Sequence, residues 1–75
     1  MTGVVVEIRK MGVAVSLDVV PVFGQRLQVY RMDSGQELIV GTGAVRKVVG
    51  GRVNVNPLET SSFDGARVGD LVRAA

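Results

Sequence analysis

The chain has no cysteine, no histidine and no tryptophan, and these absences narrow the chemistry open to it. Without cysteine there is no disulfide, no thiolate nucleophile and no thiolate metal ligand. Without histidine it lacks the commonest general base and the commonest transition-metal ligand. The spacing of the carboxylates assigns no pair of them to acid and base roles. We therefore expect a protein that is not an enzyme and that holds no metal or cofactor.

Aromatic residues are scarce, since only Phe23, Tyr30 and Phe63 are present. Apolar residues still make up 47% of the 75 residues, so the core must be built largely from valine. A β-branched side chain suits a pleated sheet and loses rotamer freedom in a helix. The composition predicts one small all-β domain over residues 1–75, with little or no helix and with Phe23 and Phe63 buried.

Long apolar runs are missing as well. The N-terminal run is interrupted by Glu7, Arg9 and Lys10, which makes it too short for a secretory signal or a membrane span. We expect a soluble chain without membrane insertion. The sequence does not indicate the compartment, because a chain without cysteine suits a reducing or an oxidising one equally well.

Alternation of apolar and polar residues predicts about six short strands. These strands cover residues 3–10, 13–17, 26–31, 37–48, 52–56 and 68–73. Pro21 interrupts the apolar segment 19–23, which predicts a loop there because proline cannot donate to a strand ladder. Gly50-Gly51 is typical of a two-residue hairpin turn. A closed or partly open barrel would bury one face of every strand and remove the exposed sheet edges.

The second half of the chain echoes the first, which predicts two three-stranded units related by a pseudo-twofold axis. At an offset of 40 residues the matches are Val13 with Val53, Val15 with Val55 and Phe23 with Phe63. At an offset of 37, Ile8-Arg9-Lys10 matches Val45-Arg46-Lys47. One extra residue in the second loop then aligns Gly24-Gln25-Arg26-Leu27 with Gly65-Ala66-Arg67-Val68.

Two surfaces are candidates for binding. Val19, Val20, Val22 and Tyr30 form a candidate interface for a protein partner, which makes a structural or assembly module the first functional hypothesis. Arg9, Lys10, Arg46 and Lys47 form a candidate basic patch, provided the pseudo-symmetry brings the two pairs together. The alternative function is therefore a nucleic-acid or ribosome-associated barrel, although Tyr30 is the one aromatic expected to be free for stacking. Homodimerisation is left open.

Three segments together resemble the C-terminal domain of the flagellar assembly protein T family. They are Gly24-Gln25-Arg26-Leu27-Gln28-Val29-Tyr30-Arg31, Glu37-Leu38-Ile39-Val40-Gly41 and the terminal Val68-Gly69-Asp70-Leu71-Val72-Arg73. The chain has Gln25-Arg26 where that family tends to show a Gly-Asp pair. The resemblance implies a periplasmic, non-enzymatic module that helps to assemble or stabilise a ring around the flagellar basal body, with no cofactor.

Overall fold

A computed structural model describes all of residues 1–75 and contains six antiparallel strands. The strands are β1 (Thr2–Arg9), β2 (Gly12–Leu17), β3 (Arg26–Asp33), β4 (Gln36–Val49), β5 (Arg52–Pro57) and β6 (Leu71–Ala74). They close into a barrel in the order β1-β2-β5-β4-β3-β6. The prediction of a small six-stranded all-β barrel is confirmed. The chain contains no helix that could cross a membrane.

The barrel interior is filled mainly by valine, as the composition predicts. Every strand contributes inward side chains at alternate positions, since successive residues of a strand point to opposite faces. Phe63, which lies in the loop between β5 and β6, is the one aromatic residue of this core. The buried cluster consists of Val5, Val13, Val15, Leu27, Val29, Val45, Val53, Val55, Phe63 and Val72.

Strand pairing repeats between the two halves of the barrel. In the β1–β2 pair Val5 lies opposite Val15 and Glu7 opposite Ala14, with Val6 as a bulge. In the β4–β5 pair Val45 lies opposite Val55 and Lys47 opposite Asn54, with Arg46 as the bulge. These partners all differ by 40 residues, and the β2–β5 pairing maps onto itself under the same shift. The predicted pseudo-twofold arrangement is therefore present in the strand pairing.

The structure corrects two of the predicted alignments. Because the offset of 40 also holds for β1 and β4, Arg46-Lys47 corresponds to Val6-Glu7 and not to Arg9-Lys10. The closing turns differ by 45 residues, so Gly24-Gln25 corresponds to Gly69-Asp70. Gly24 N–H donates to the Val45 carbonyl at 2.9 Å, and Gly69 N–H donates to the Val5 carbonyl at 2.9 Å. Both glycines have positive φ, 81° and 98°.

The expectation that Phe23 is buried is wrong. Its side chain is 73% exposed, whereas Phe63 is 7% exposed. The offset of 45 shows why, because Phe23 corresponds to the exposed Val68, and Phe63 lies in a five-residue insertion without a counterpart. The matching phenylalanines therefore occupy different places in the fold.

The strands also differ from their predicted bounds. β4 is one continuous strand of 14 residues, with a bulge at Val40 opposite Val29 and Tyr30. β6 begins at Leu71, later than predicted, because residues 67–70 form the closing turn. The loop after Pro57 contains turns and no helical turn.

The two ends of the barrel carry equivalent loops. β2 and β5 are antiparallel, so the chain leaves Leu17 at one end and Pro57 at the other. We call the end formed by loop 18–25 and the Gly50-Gly51 turn the apolar end. We call the end formed by loop 58–70 and the Lys10-Met11 turn the polar end.

Candidate functional site

The two basic dipeptides meet at one cavity on the outer wall of the barrel. Arg9, Lys10, Arg46 and Lys47 all line a cavity of about 300 Å³, which we call the basic groove. Arg9-Lys10 ends β1 and enters the following turn, whereas Arg46-Lys47 lies at the bulge of β4. β2 and β5 lie between these strands and form the floor. The structure thus brings the predicted basic patch together, although the two pairs are not symmetry equivalents.

Most of the groove cations have no acidic partner in the protein. Lys10, Arg46 and Lys47 form no ion pair, whereas Arg9 contacts Glu7 at 2.9 Å. Outside the groove five cations face seven carboxylates, which leaves the rest of the molecule with a formal charge of −2. The overall charge of +2 therefore understates the local field, because the positive charge is concentrated at this one place.

The floor of the groove offers two free amide groups. Asn54 and Asn56 alternate with the buried Val53 and Val55 in β5, so their side chains point outward into the groove. Both residues are half-buried, and neither side chain takes part in a hydrogen bond with another protein group. A half-buried amide supplies both a donor and an acceptor. The groove therefore combines cations at its edges with unpaired hydrogen-bonding groups at its base.

The symmetry-related position on the wall lacks these groups. With the offset of 40, Asn54 corresponds to Ala14 and Lys47 to Glu7. The other counterparts of the groove residues are Val49 for Arg9, Gly50 for Lys10, Val6 for Arg46 and Ser16 for Asn56. The same strands thus carry a basic, amide-lined surface on one side of the pseudo-twofold axis and a surface with one carboxylate and without these cations and amides on the other.

A second cavity adjoins the basic groove at the polar end. Its volume is about 470 Å³, and it shares Arg9, Lys10, Met11, Gly12 and Asn56 with the groove. Ser61, Ser62 and Asp64 of the inserted loop line its other side. The Ser61 hydroxyl accepts a hydrogen bond from Thr42 N–H at 2.9 Å, which fixes this loop against β4. The two cavities form one continuous depression around the Lys10-Met11 turn.

The apolar end exposes a run of large hydrophobic side chains. Val20, Val22 and Phe23 in the loop after β2 are 83%, 69% and 73% exposed. Val19 and Val48 are also exposed and line a shallow cavity of about 130 Å³ there. Pro21 alone in this stretch is buried. The predicted interface residues Val19, Val20 and Val22 are thus all accessible.

Tyr30 lies elsewhere, on the outer wall of β3 opposite Ile39 and Leu71. The Arg73 guanidinium carbon is 4.2 Å from the centre of its ring, a cation–π contact. Arg73 also donates to Gln28 Oε1 at 2.9 and 2.7 Å and pairs with Glu37. Sequence analysis grouped Tyr30 with the valine loop, but the structure places one face of its ring under an arginine.

An ion pair that the sequence did not reveal fixes the polar end. Arg31 Nε and Nη2 donate to the two Asp70 carboxylate oxygens at 2.9 and 2.7 Å, and Nη2 also donates to the Gly65 carbonyl at 2.6 Å. Arg67 N–H donates to Asp70 at 2.8 Å. The hydrogen bonds from Arg31 lower the pKa of Asp70 below its ordinary value, against an opposing effect of burial. Asp70 was recognisable as a turn residue, but its partner is 39 residues away.

Comparison of the chain with protein-family models, with curated proteins and with solved structures finds no significant match.

Proposed function

We propose that this chain is a non-catalytic assembly module that docks onto another protein through the apolar end of its barrel. The observation that carries the proposal is the loop containing Val19, Val20, Val22 and Phe23, all large, apolar and exposed. Contiguous exposed apolar side chains mark interaction surfaces in proteins that are otherwise well packed.

The barrel does not need this loop to fill its interior. The core cluster takes residues from all six strands and from Phe63, and none of the four exposed loop residues belongs to it. Exposure of apolar groups to water is unfavourable by about 25 cal/mol per Å², so a partner that covers them gains that free energy. The rigid turn at Gly24, hydrogen-bonded to Val45, holds the loop in place before any partner arrives.

The resemblance to the flagellar assembly protein T family supplies a cellular setting for this proposal. It supports an assembly in the bacterial envelope, with the partner a protein of a ring around the flagellar basal body. Of the motifs that carry the resemblance, Gly24 and Gly69-Asp70 lie in the two closing turns, which have the same hydrogen bonds in this barrel.

Site-specific photo-crosslinking in the source cell tests the proposal. A photoreactive phenylalanine analogue at position 20 should form an adduct with one defined protein. The matched control is position 59, an exposed site in the loop at the polar end. Adducts of equal yield at both positions, or none at position 20, would contradict docking through the apolar end. An adduct at twice the mass of the chain would show that the partner is a second copy of this chain.

A further inference from the structure

The basic groove has features of a binding site that the proposed docking surface does not use. Its cations lie on β1 and β4, and two strands separate these. The Arg9-Lys10 pair and the Arg46-Lys47 pair therefore flank the floor formed by β2 and β5, and a ligand that lies over this floor can contact both pairs.

We infer that the basic groove binds an extended acidic segment of a protein, with carboxylates at its edges and the segment's main chain over its floor. Three of the four cations have no carboxylate partner within the molecule. Arginine and lysine form their strongest hydrogen bonds with ionised oxygens. The remaining surface carries a formal charge of −2, so an acidic segment is attracted to the groove and repelled elsewhere.

The groove floor favours a peptide over other anions. Asn54 and Asn56 each present a donor and an acceptor, which is the complement of a peptide N–H and C=O. No protein group uses either amide. A monovalent point anion would occupy one pair of cations and leave both amides unpaired.

The aromatic residues argue against a nucleic-acid strand in the same groove. Strands of nucleic acid are held by stacking on accessible aromatic rings as well as by cations. Phe63 is buried, Phe23 lies at the apolar end, and Tyr30 lies on β3 beneath Arg73. None of the three rings lines the basic groove. The groove therefore has cations that could contact phosphates but no aromatic ring on which a base could stack.

The difference between the two halves points to the same groove. At the equivalent wall position the chain carries Val6, Glu7 and Ala14 in place of Arg46, Lys47 and Asn54. The barrel folds with either set, so the basic and amide side chains are not required by the strand pairing. They occur at one of the two equivalent wall positions alone, which is the pattern of a binding surface added to a symmetric scaffold.

Binding of a fluorescent, capped peptide of alternating aspartate and serine with four carboxylates tests the inference. The full chain should bind it at low salt, and the paired substitution Arg46→Gln/Lys47→Gln should weaken binding at least about thirtyfold, because two charge-assisted hydrogen bonds are lost. The matched control is Arg26→Gln/Arg67→Gln, which removes the same charge from two arginines that form no ion pair and lie outside the groove. Both pairs are compared in about 0.1 M salt, where the screening length is about 10 Å, and the control should change the affinity less than about twofold.

A separate substitution tests the contribution of Asn54 on the floor of the basic groove. Asn54→Ala installs the residue found at the equivalent position, Ala14, so the fold tolerates it. We expect binding about fivefold weaker with an unchanged salt dependence, because one neutral hydrogen bond is lost. An unchanged affinity would remove the floor from the proposed site.

Three results would overturn the inference. The first is no binding of the acidic peptide by the unsubstituted chain at low salt. The second is equal weakening by the groove pair and by the control pair, which would show that total charge alone is responsible. The third is tighter binding of a thymidine pentanucleotide with the same four charges, which would identify the groove as a nucleic-acid site. None of these results bears on crosslinking at position 20, so the docking proposal is tested independently.

Discussion

The two halves of this barrel share a backbone and differ in what they carry on it. β1 and β2 pair in the same register as β4 and β5, with a bulge at the same place. Each half closes with a glycine turn that donates to a core valine of the other half, Gly24 to Val45 and Gly69 to Val5. Yet the first half exposes an apolar loop and the second carries the insertion with Phe63, and the basic groove, which takes cations from both halves, has no symmetry-related copy. Inward residues and turns maintain the symmetry, and outward residues and loops are free to depart from it.

The largest expected effect concerns the two phenylalanines, which look equivalent in the sequence and are not equivalent in the fold. Phe63→Ala should lower the free energy of unfolding by about 3 kcal/mol, because a buried aromatic ring leaves a cavity. Phe23→Ala should change it by less than about 0.5 kcal/mol, because the ring is exposed. Urea denaturation of both variants measures the difference, and equal losses would show that the two rings share one environment.

Two glycines at equivalent positions test the symmetry itself. A Cβ at Gly3 would overlap the Ser16 carbonyl oxygen, and one at Gly43 would overlap the Asn56 carbonyl oxygen. Gly3→Ala and Gly43→Ala should therefore each cost about 2 kcal/mol, the range of overpacking that forces a backbone shift. Thermal unfolding gives the measurement.

The control for this pair is Gly51→Ala. A Cβ at Gly51 meets no atom within 4 Å, and the equivalent position carries Met11. Its stability should be unchanged or slightly higher, because alanine restricts the unfolded chain. A large loss at Gly43 with none at Gly3 would mean that Phe63, which also lies against Gly43, is the cause, and not the shared strand geometry.

The sequence predicted a barrel of about six strands, closed or partly open, because valine alternation and turn residues are local signals. Gly50-Gly51, Pro21 and the alternating strand residues each act within a few positions. The basic dipeptides Arg9-Lys10 and Arg46-Lys47 were also recognisable as candidates. Their convergence depends on strand order, which places β2 and β5 between them. The sequence alignment that suggested this convergence paired Arg9-Lys10 with Arg46-Lys47, which is three residues away from the pairing in the structure.

The predictions that failed depend on loop length and long-range partners. A five-residue insertion moves Phe63 out of register with Phe23, and no local pattern marks where in the loop it begins. The ion pair of Arg31 with Asp70 joins residues 39 apart, so the alternation of β3 alone does not reveal it. Asn54 and Asn56 have the pattern of any outward-facing strand residues, and the cations beside them come from other strands, so the sequence of β5 alone does not mark them as part of a site.

The closing turns give a smaller contrast, since Gln25 stands where the other half has Asp70. Asp70→Asn should lower stability by about 2 kcal/mol at neutral pH, because Arg31 then lacks its carboxylate. The pKa of Asp70 is lowered in the folded state by Arg31, so this contribution is complete above the unfolded pKa of about 3.9. It is lost as pH falls through the lower folded pKa.

Chemical denaturation between neutral pH and about pH 2 measures this effect. The unsubstituted chain should lose stability toward the acid limit more steeply than the Asp70→Asn variant. Gln25→Ala is the control at the equivalent turn, and it should leave the pH profile unchanged because Gln25 does not titrate. Parallel profiles for the unsubstituted chain and Asp70→Asn would show that the Arg31 pair does not couple folding to pH.

The smallest expected effect concerns an exposed valine at the apolar end, compared with a valine of the core. Val20→Ser removes an apolar side chain that is 83% exposed at the apolar end, so the free energy of unfolding should change by less than about 0.5 kcal/mol. Val55→Ser is the same substitution at a valine of the core, and it should be strongly destabilising because the hydroxyl is buried without a partner. A loss above about 1 kcal/mol for Val20→Ser would mean that the loop belongs to the core, since an exposed surface residue rarely contributes that much. If Val20→Ser leaves stability unchanged but abolishes crosslinking from a photoreactive phenylalanine analogue placed at position 23 of the same exposed loop, then Val20 serves a partner and not the fold.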